Sequence, residues 1–147
     1  NLRTGLISDE ASHLIKIVSE VATGKRDKIF IFGSNYNTAD GTAIRDFIHV
    51  SDLADIHIAV SKYLLETQET KIFNCGYGKG YSVLDVIKEA NIITNNKIKY
   101  IFTERRSGDP EQLVANVDKI KNHINWTPIY NNLNTIIRSA IDWEKKL

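Results

Sequence analysis

The chain has 147 residues, of which 42% are hydrophobic and 25% charged, and its formal net charge is +1. This composition suits one globular domain, and the interspersed basic and acidic residues argue against a nucleic-acid-binding surface. The single cysteine, Cys75, excludes an internal disulfide and a multi-cysteine metal site, and the longest apolar runs are too short to span a membrane.

The first part of the chain predicts a helix, a strand and a loop. In residues 11–23, apolar side chains recur at helical spacing, and Gly24 follows where a helix C-cap belongs. Residues 28–33 (KIFIFG) predict a short strand. Residues 34–42 are rich in Asn, Asp, Thr and Gly, which is typical of a loop.

The middle of the chain predicts extended structure followed by a long helix. Residues 44–50 (IRDFIHV) alternate weakly between apolar and polar side chains, and Ser51 is expected to cap the helix that follows. One face of that helix is apolar: it carries Leu53, Ile56, Val60 and Leu64. Residues 71–75 (KIFNC) predict another strand.

The second half predicts more short elements. After a glycine turn, Ser82 and Asp85 have the spacing of a capping box at the start of a helix. Residues 98–102 (IKYIF) predict a strand. Two helices are predicted to close the chain, at 117–124 and 133–145. We therefore predict a mixed α/β fold with short strands separated by helices, without a complete βαβαβ nucleotide-binding half.

The glycine turn is a candidate phosphate-binding loop. Gly76, Gly78 and Gly80 lie between a predicted strand and a predicted helix, as in dinucleotide-binding motifs. The spacing is G-x-G-x-G and not G-x-G-x-x-G, and Glu104 is a poor match for the acidic residue that such motifs require. A tight turn that needs unusual backbone angles is the better explanation.

Three arginines beside turn-forming residues are candidate phosphate ligands. Arg45 follows the predicted loop, while Arg105 and Arg106 precede a Ser-Gly-Asp sequence that ends at Asp109. A guanidinium donates two parallel, charge-assisted hydrogen bonds to phosphate, and Asp109 is a candidate acceptor for sugar hydroxyls. Taken singly, each arginine is explained more simply as a solvated or ion-paired surface residue. Arg45 fits that explanation least, because an uncompensated charge is costly in a half-apolar strand.

Aromatic and histidine residues are weaker candidates. Phe30 and Phe32 share one face of the predicted strand and could stack on a nucleobase, although core packing is the simpler explanation. The four histidines show no metal-ligand spacing, so neither a zinc site nor a catalytic triad is expected. His49 and His57 are expected at partly buried structural positions.

The order of the segments says more than any single motif. The stretches FGSNYNTADGTAIRDFIHVSDLADIHIA, IFNCGYGKGYSVLDVI and ERRSGDPEQLVA closely resemble, in this order, the signature of the UDP-glucose 4-epimerases, which are extended short-chain dehydrogenases/reductases. The likeness runs from SHLIKIVSEVATGKR to the final NWTP and WE. It implies that residues 1–147 form the C-terminal, UDP-sugar-binding domain of such an enzyme, without its N-terminal Rossmann domain. The lack of methionine and the Asn at position 1 also favour a piece of a longer protein.

The resemblance implies substrate-binding roles for nine residues. Arg45 and Arg106 would clamp the UDP pyrophosphate, and Asp109 would bind the ribose hydroxyls. Arg105 would lie beside the site and not in it. The other positions match the uridine pocket (Phe30, Phe32), the surroundings of the phosphates (His13, Leu14), a site where tyrosine is commoner (Phe47) and the hexose-facing position (Leu113). The bulky Leu113 favours plain hexoses over N-acetylated sugars.

The resemblance also implies chemistry that this chain would not perform alone. The family oxidises C4 of the sugar by hydride transfer to NAD, rotates the keto intermediate and returns the hydride to the other face. NAD and all catalytic residues would belong to the missing N-terminal domain, so the isolated chain is expected to be inactive, with no cofactor or metal ligands of its own. The implied partners are a UDP-sugar, that Rossmann domain and, in the full-length protein, a second subunit, all in the cytoplasm. The Rossmann domain is expected to pack against the apolar helix face that carries Leu53, Ile56, Val60 and Leu64.

Two alternatives remain at this point. One is another UDP-sugar 4-epimerase, or a nucleotide-sugar decarboxylase, although the D-G-T-x-I-R-D segment favours the 4-epimerases. The other is a non-catalytic nucleotide-sugar-binding fragment.

Overall fold

The computed structural model describes residues 6–7, 12–95 and 97–147. Helices and short strands are interspersed through these residues, which confirms the predicted mixed α/β class. The helices are α1 (Leu14–Ala22), α2 (Val50–Thr67), α3 (Val83–Thr94), α4 (Asp118–His123) and α5 (Leu133–Glu144). The strands are β1 (Ile29–Phe32), β2 (Ile44–Arg45), β3 (Tyr81–Ser82), β4 (Tyr100–Thr103) and β5 (Gln112–Leu113). Residue 11 of the first predicted helix lies outside the described residues.

The strands form two small sheets. β1 pairs with β4 in parallel, and β2 lies between β3, which is antiparallel to it, and β5, which is parallel. In this register Arg45 lies opposite Leu113 on β5. The two sheets therefore bring the ends of β1 and β4 and the starts of β2 and β5 to the same loop, residues 104–111.

The main core lies between β1 and the helices α1, α3 and α5. The strand alternates, so Ile29 and Ile31 are buried in this core while Phe30 is exposed. Helical spacing gives α1, α3 and α5 the apolar stripes that cover these isoleucines. The buried members are Val18, Val21, Ile29, Ile31, Val86, Ile87, Ala90, Ile98, Leu133, Ile137 and Ile141.

A second apolar cluster joins α2 to α4. Ile56 is buried there, with Leu53 and Val60 packed around it. The expectation that this helix face is free to contact a further domain is therefore wrong, because residues Val117, Ile120 and Ile124 of the same chain cover it. Leu64, the fourth member of the predicted face, is exposed.

Helix caps follow the sequence rules at α3 but not at α2. Ser82 and Asp85 form the predicted capping box. Ser51, in contrast, does not cap α2: the N-cap is His49, whose Nδ1 accepts the Ser51 backbone N–H at 3.1 Å. The ring supplies the acceptor that usually comes from Ser, Thr, Asp or Asn. His49 is buried, as expected, but His57 is exposed, which corrects the prediction for that residue.

The predicted strand at 71–75 is not a strand in the structure. Its side chains alternate as in a strand, with Phe73 and Cys75 on the second cluster and Ile72 exposed at 84%. No strand among the described residues pairs with this segment, and strand structure requires a neighbour for the backbone hydrogen bonds. Separately, no helix in the described ranges is long and apolar enough to cross a membrane.

Candidate functional site

A tight turn places Arg106 and Asp109 side by side. The Asp109 backbone N–H donates to the Arg106 carbonyl at 3.3 Å, which closes a four-residue turn. Gly108 has φ of 77°, a left-handed value that glycine adopts without strain. The side chains at the two ends of this turn can therefore act on one ligand.

Arg45 reaches this turn from β2. Its Nη2 donates to Asp109 Oδ1 in an ion pair, and its Nη1 donates to the Ile44 carbonyl at 2.7 Å. The Arg45 and Asp109 side chains are 24% and 30% exposed, so solvent and small ligands can reach them. Leu113, opposite Arg45 on β5, is 62% exposed beside the pair.

Both arginines of the loop lie on aromatic rings. The Arg106 guanidinium carbon is 3.7 Å from the centre of the Phe32 ring, and that of Arg105 is 3.8 Å from the centre of the Tyr36 ring. Such contacts attract a cation to the ring face. Phe30 lies two residues before Phe32 on the same side of β1 and is exposed. We call Arg45, Arg105, Arg106 and Asp109 the arginine cluster.

The structure brings five of the nine predicted site residues into this neighbourhood: Phe32, Arg45, Arg106, Asp109 and Leu113. Phe30 shares the strand face of Phe32. Leu14 and Phe47 are half-buried and pack against the main core. Among the described residues, no hydrogen bond, ion pair or ring contact joins His13, Leu14 or Phe47 to the arginine cluster.

His13 begins α1 as its N-cap. Its Nδ1 accepts the Lys16 backbone N–H at 3.3 Å. Partial burial, and then the charge of Lys16, lower the pKa of His13, so the neutral ring that can accept this hydrogen bond is favoured. The nearby helix N-terminus carries a partial positive charge, which suits an anion.

The arginine cluster holds three guanidiniums and one carboxylate. Arginine keeps its charge at any physiological pH, so the cluster has a net positive charge. Planar guanidiniums grouped at one turn, with the exposed Phe30 ring on the neighbouring strand, are suited to binding a phosphorylated ligand with an aromatic group. The described ranges contain no group of three or more His, Cys, Asp or Glu side chains placed to hold a metal ion.

The glycine segment is a turn that the chain itself closes, as the sequence analysis favoured. Asp46 accepts the backbone N–H groups of Tyr77 at 3.2 Å and Gly78 at 2.9 Å. These are the donors that a dinucleotide loop would present to a pyrophosphate. Because a carboxylate already occupies them, the turn does not fit NAD.

Sequence reasoning missed the residues that support the site. Tyr36, Asp46 and Asp52 all lie in the first stretch that carries the family resemblance, but the resemblance assigns a role to none of them. Asp52 is fully buried and accepts hydrogen bonds from Tyr77 Oη at 2.5 Å, Ile129 N at 3.0 Å and Tyr130 N at 2.9 Å. Burial opposes its charge, but these hydrogen bonds outweigh burial and hold the pKa of Asp52 below its ordinary value. A charged residue in the first turn of an otherwise apolar helix face was the available signal.

Comparisons with known proteins bear on this geometry. The profile of the NAD dependent epimerase/dehydratase family matches residues 7–76. The UDP-glucose 4-epimerase of Azospirillum brasilense is 43% identical over 145 residues, which are 99% of this chain and 42% of that protein. The chain therefore spans about two fifths of the length of this relative.

Solved structures have the same fold. The UDP-Glc/GlcNAc 4-epimerase of Campylobacter jejuni is 45% identical, with a TM-score of 0.84 over 97% of this chain and 43% of that one. The UDP-glucose 4-epimerase of Stenotrophomonas maltophila, solved with bound NAD and formylated UDP-arabinopyranose, is 28% identical, with a TM-score of 0.91 over 96% of this chain and 42% of that one. The resemblance to the UDP-glucose 4-epimerases is thereby confirmed.

Proposed function

We propose that this chain is the C-terminal, UDP-sugar-binding domain of an NAD-dependent UDP-glucose 4-epimerase, which interconverts UDP-glucose and UDP-galactose. The observation that carries this proposal is the joint placement of Arg45, Arg106 and Asp109 beside an exposed aromatic face. Relatives that are 43% and 45% identical and carry the name 4-epimerase support it.

The positions of these side chains suggest which of them would bind each part of the UDP-sugar. Arg45 and Arg106 would bind the pyrophosphate through their planar forks, and Asp109 would accept bonds from the ribose hydroxyls. The uracil ring would lie against the outer face of β1, where Phe30 is exposed. Leu113 would face the hexose.

Other observations support the proposed roles of the remaining three residues near the substrate. His13 stands at the N-terminus of α1, where a phosphate would be stabilised by the helix dipole. Leu14 and Phe47 are half-buried, so we propose that they support the pocket by packing. With Phe47, no phenol hydroxyl is present at the position where the family commonly has tyrosine.

We propose that NAD and the catalytic residues lie in an N-terminal domain. The closed glycine turn supports this assignment, because Asp46 already accepts the backbone N–H groups of Tyr77 and Gly78. Calorimetry on the isolated chain should show weak binding of UDP and none of NAD, and no epimerase activity. Tight NAD binding without UDP binding would contradict the proposal. A chimera that joins this chain to the N-terminal part of the Azospirillum relative should regain activity.

We propose that the N-terminal domain covers the free face of α2. Val50, Ile58 and Leu65 lie on one side of this helix and are more than half exposed, as is Ile72 in the following segment. Exposed apolar patches promote association, so the isolated chain should self-associate in sedimentation velocity experiments. Ile58→Lys should reduce this association, whereas Ile92→Lys, on the exposed side of α3, should not. A wild-type chain that stays monomeric at all concentrations would contradict this assignment.

A second candidate is a 4-epimerase that also accepts N-acetylated sugars. The Campylobacter jejuni enzyme, described as acting on both UDP-Glc and UDP-GlcNAc, is 45% identical. Leu113, a bulky and exposed residue beside Arg45, favours the plain hexoses. Comparing kcat/KM of the chimera for UDP-galactose and UDP-N-acetylgalactosamine separates the two candidates.

A further inference from the structure

Arg105 makes a contact that the proposed function does not use. Its guanidinium carbon lies 3.8 Å from the centre of the Tyr36 ring. Tyr36 is 4% exposed, and its hydroxyl makes no hydrogen bond with any described residue. The Tyr36 ring is therefore held by packing and by the Arg105 cation, and its hydroxyl adds no hydrogen bond to a described residue.

Gly33 makes this contact possible. It follows β1 with φ of 94°, and its N–H donates to the Thr103 carbonyl at 2.9 Å. A Cβ at this position would lie 2.5 Å from Arg105 Cγ and 2.6 Å from Tyr36 Cε2. The absence of a side chain thus lets the stem of Arg105 and the ring of Tyr36 meet directly over the backbone.

The loop over 104–111 has few attachments to the rest of the chain. It is tied at its ends by β4 and by Glu111, whose carbonyl accepts the Ile44 N–H at 2.8 Å. Between these ends, the described contacts are those of Arg105 with Tyr36, Arg106 with Phe32 and Asp109 with Arg45. Two of the three belong to residues that would themselves bind the ligand.

We infer that Arg105 is a positioning residue: by stacking on Tyr36 it holds the turn so that Arg106 faces the diphosphate and Asp109 the ribose of the same nucleotide. This inference rests on the proposed function. In this arrangement Arg105 acts through the turn and does not touch the ligand. Its loss should leave the fold intact, because Arg105 is exposed, and should loosen the turn.

The test compares four single variants: Arg105→Met, Tyr36→Leu, Tyr36→Phe and, as a matched surface control, Arg138→Met. Arg105→Met and Tyr36→Leu should each weaken UDP binding to the chain by about fivefold, the size expected of one cation–ring contact. Tyr36→Phe keeps the ring and should bind UDP as the wild type does. The double variant Arg105→Met, Tyr36→Leu should be no weaker than either single variant, because both remove the same contact.

A second measurement does not depend on UDP. The rate of tryptic cleavage at the Arg106–Ser107 bond reports how well the turn is held. It should rise several-fold in Arg105→Met and Tyr36→Leu, and stay unchanged in Tyr36→Phe and Arg138→Met. Thermal melting of each variant identifies any that has lost its fold, and Arg105→Met then decides alone.

The outcomes are distinct. If Arg105→Met weakens UDP binding while Tyr36→Leu does not, and cleavage is unchanged, Arg105 acts on the ligand directly and the inference is wrong. If cleavage rises as expected but the wild type binds no UDP, the turn is anchored as inferred and the proposed function fails instead.

Discussion

The guanidinium of Arg45 and the carboxylate of Asp109 form an ion pair between positions 64 residues apart in the chain. β2 supplies the first residue and the turn after β4 supplies the second. The pair therefore ties β2 to the turn that also carries Arg106.

The arginine forks can be tested in the active chimera. Arg45→Lys or Arg106→Lys keeps the charge but loses the planar fork. Charge-assisted hydrogen bonds contribute about 1.5–3 kcal/mol each, so KM for UDP-galactose should rise by roughly tenfold or more. NAD binding should hardly change. Arg138→Lys, on the exposed side of α5, is the control. Unchanged KM in both cluster variants would exclude the proposed clamp.

Asp109→Asn separates the two roles of Asp109. Without the carboxylate, inorganic pyrophosphate no longer competes for Arg45, and its affinity should rise by up to about fivefold, the range of a partly exposed ion pair. UDP should gain less affinity than inorganic pyrophosphate does, because an amide accepts weaker hydrogen bonds from ribose than a carboxylate does and this loss offsets the release of Arg45. Calorimetry with both ligands measures the two changes. Glu111→Gln, in the same loop, is the control, and weaker pyrophosphate binding in Asp109→Asn would contradict the prediction.

A buried ion network joins α1 to α5. Glu144 accepts hydrogen bonds from Lys16, which is also buried, and from Lys25 at 2.9 Å. Among the described residues, Glu144→Gln leaves the buried Lys16 charge with Glu20 as its remaining ion-pair partner, at 3.6 Å, and should lower the free energy of unfolding by about 3 kcal/mol. Urea unfolding of the wild type and the variant measures this difference in free energy. Asp142→Asn breaks an exposed pair with Lys145 and should cost less than about 1 kcal/mol.

The carboxylate of Glu144 should also make the stability of the fold sensitive to acid. Burial opposes its charge, but the hydrogen bonds and charges of Lys16 and Lys25 outweigh burial and lower the pKa of Glu144. Its contribution to stability is therefore complete above the ordinary glutamate pKa of about 4.3. This contribution is lost as the pH falls through the lower pKa of the folded state. Glu144→Gln should flatten the fall in unfolding free energy below pH 5.

Protonation of His49 should lower the stability of the fold at a milder pH than protonation of Glu144 does. Burial lowers its pKa, although the charge of Asp52 opposes this. Its Nδ1 must be unprotonated to accept the Ser51 N–H, while Nε2 lies 3.0 Å from Ser139 Oγ. The contribution of the neutral His49 ring to the free energy of unfolding is therefore complete above the ordinary histidine pKa of about 6.5. This contribution is lost as the pH falls through the lower pKa of the folded state. His49→Asn keeps a helix cap that does not titrate, so its urea midpoint should change less between pH 7 and 5.5.

Local patterns predicted most of the elements correctly. The IFIF strand and the Ser82–Asp85 capping box depend on neighbouring residues alone, and both appear as expected. The KIFNC segment has an equally clear pattern, but a strand also needs a partner, which no local pattern supplies. The α2 cap was missed because it uses an imidazole nitrogen in place of the usual oxygen.

The site was predictable as a set of residues but not as an arrangement. The family signature identified Arg45, Arg106 and Asp109, which the fold brings together. Contacts such as Arg105 on Tyr36 depend on how a loop folds back over β1. The path of this loop is determined by tertiary packing, which cannot be predicted from local patterns in one sequence.

The closed glycine turn also constrains how this region can evolve. A Cβ at Gly76 would come 2.5 Å from Asp46 Oδ2 and 2.8 Å from Ala115 Cβ. A mutation at Gly76 would therefore push the carboxylate off the amides of Tyr77 and Gly78, while a mutation at Asp46 would leave those amides without an acceptor. Positions 46 and 76 lie 30 residues apart in number, yet a substitution at either one would disturb the same two hydrogen bonds.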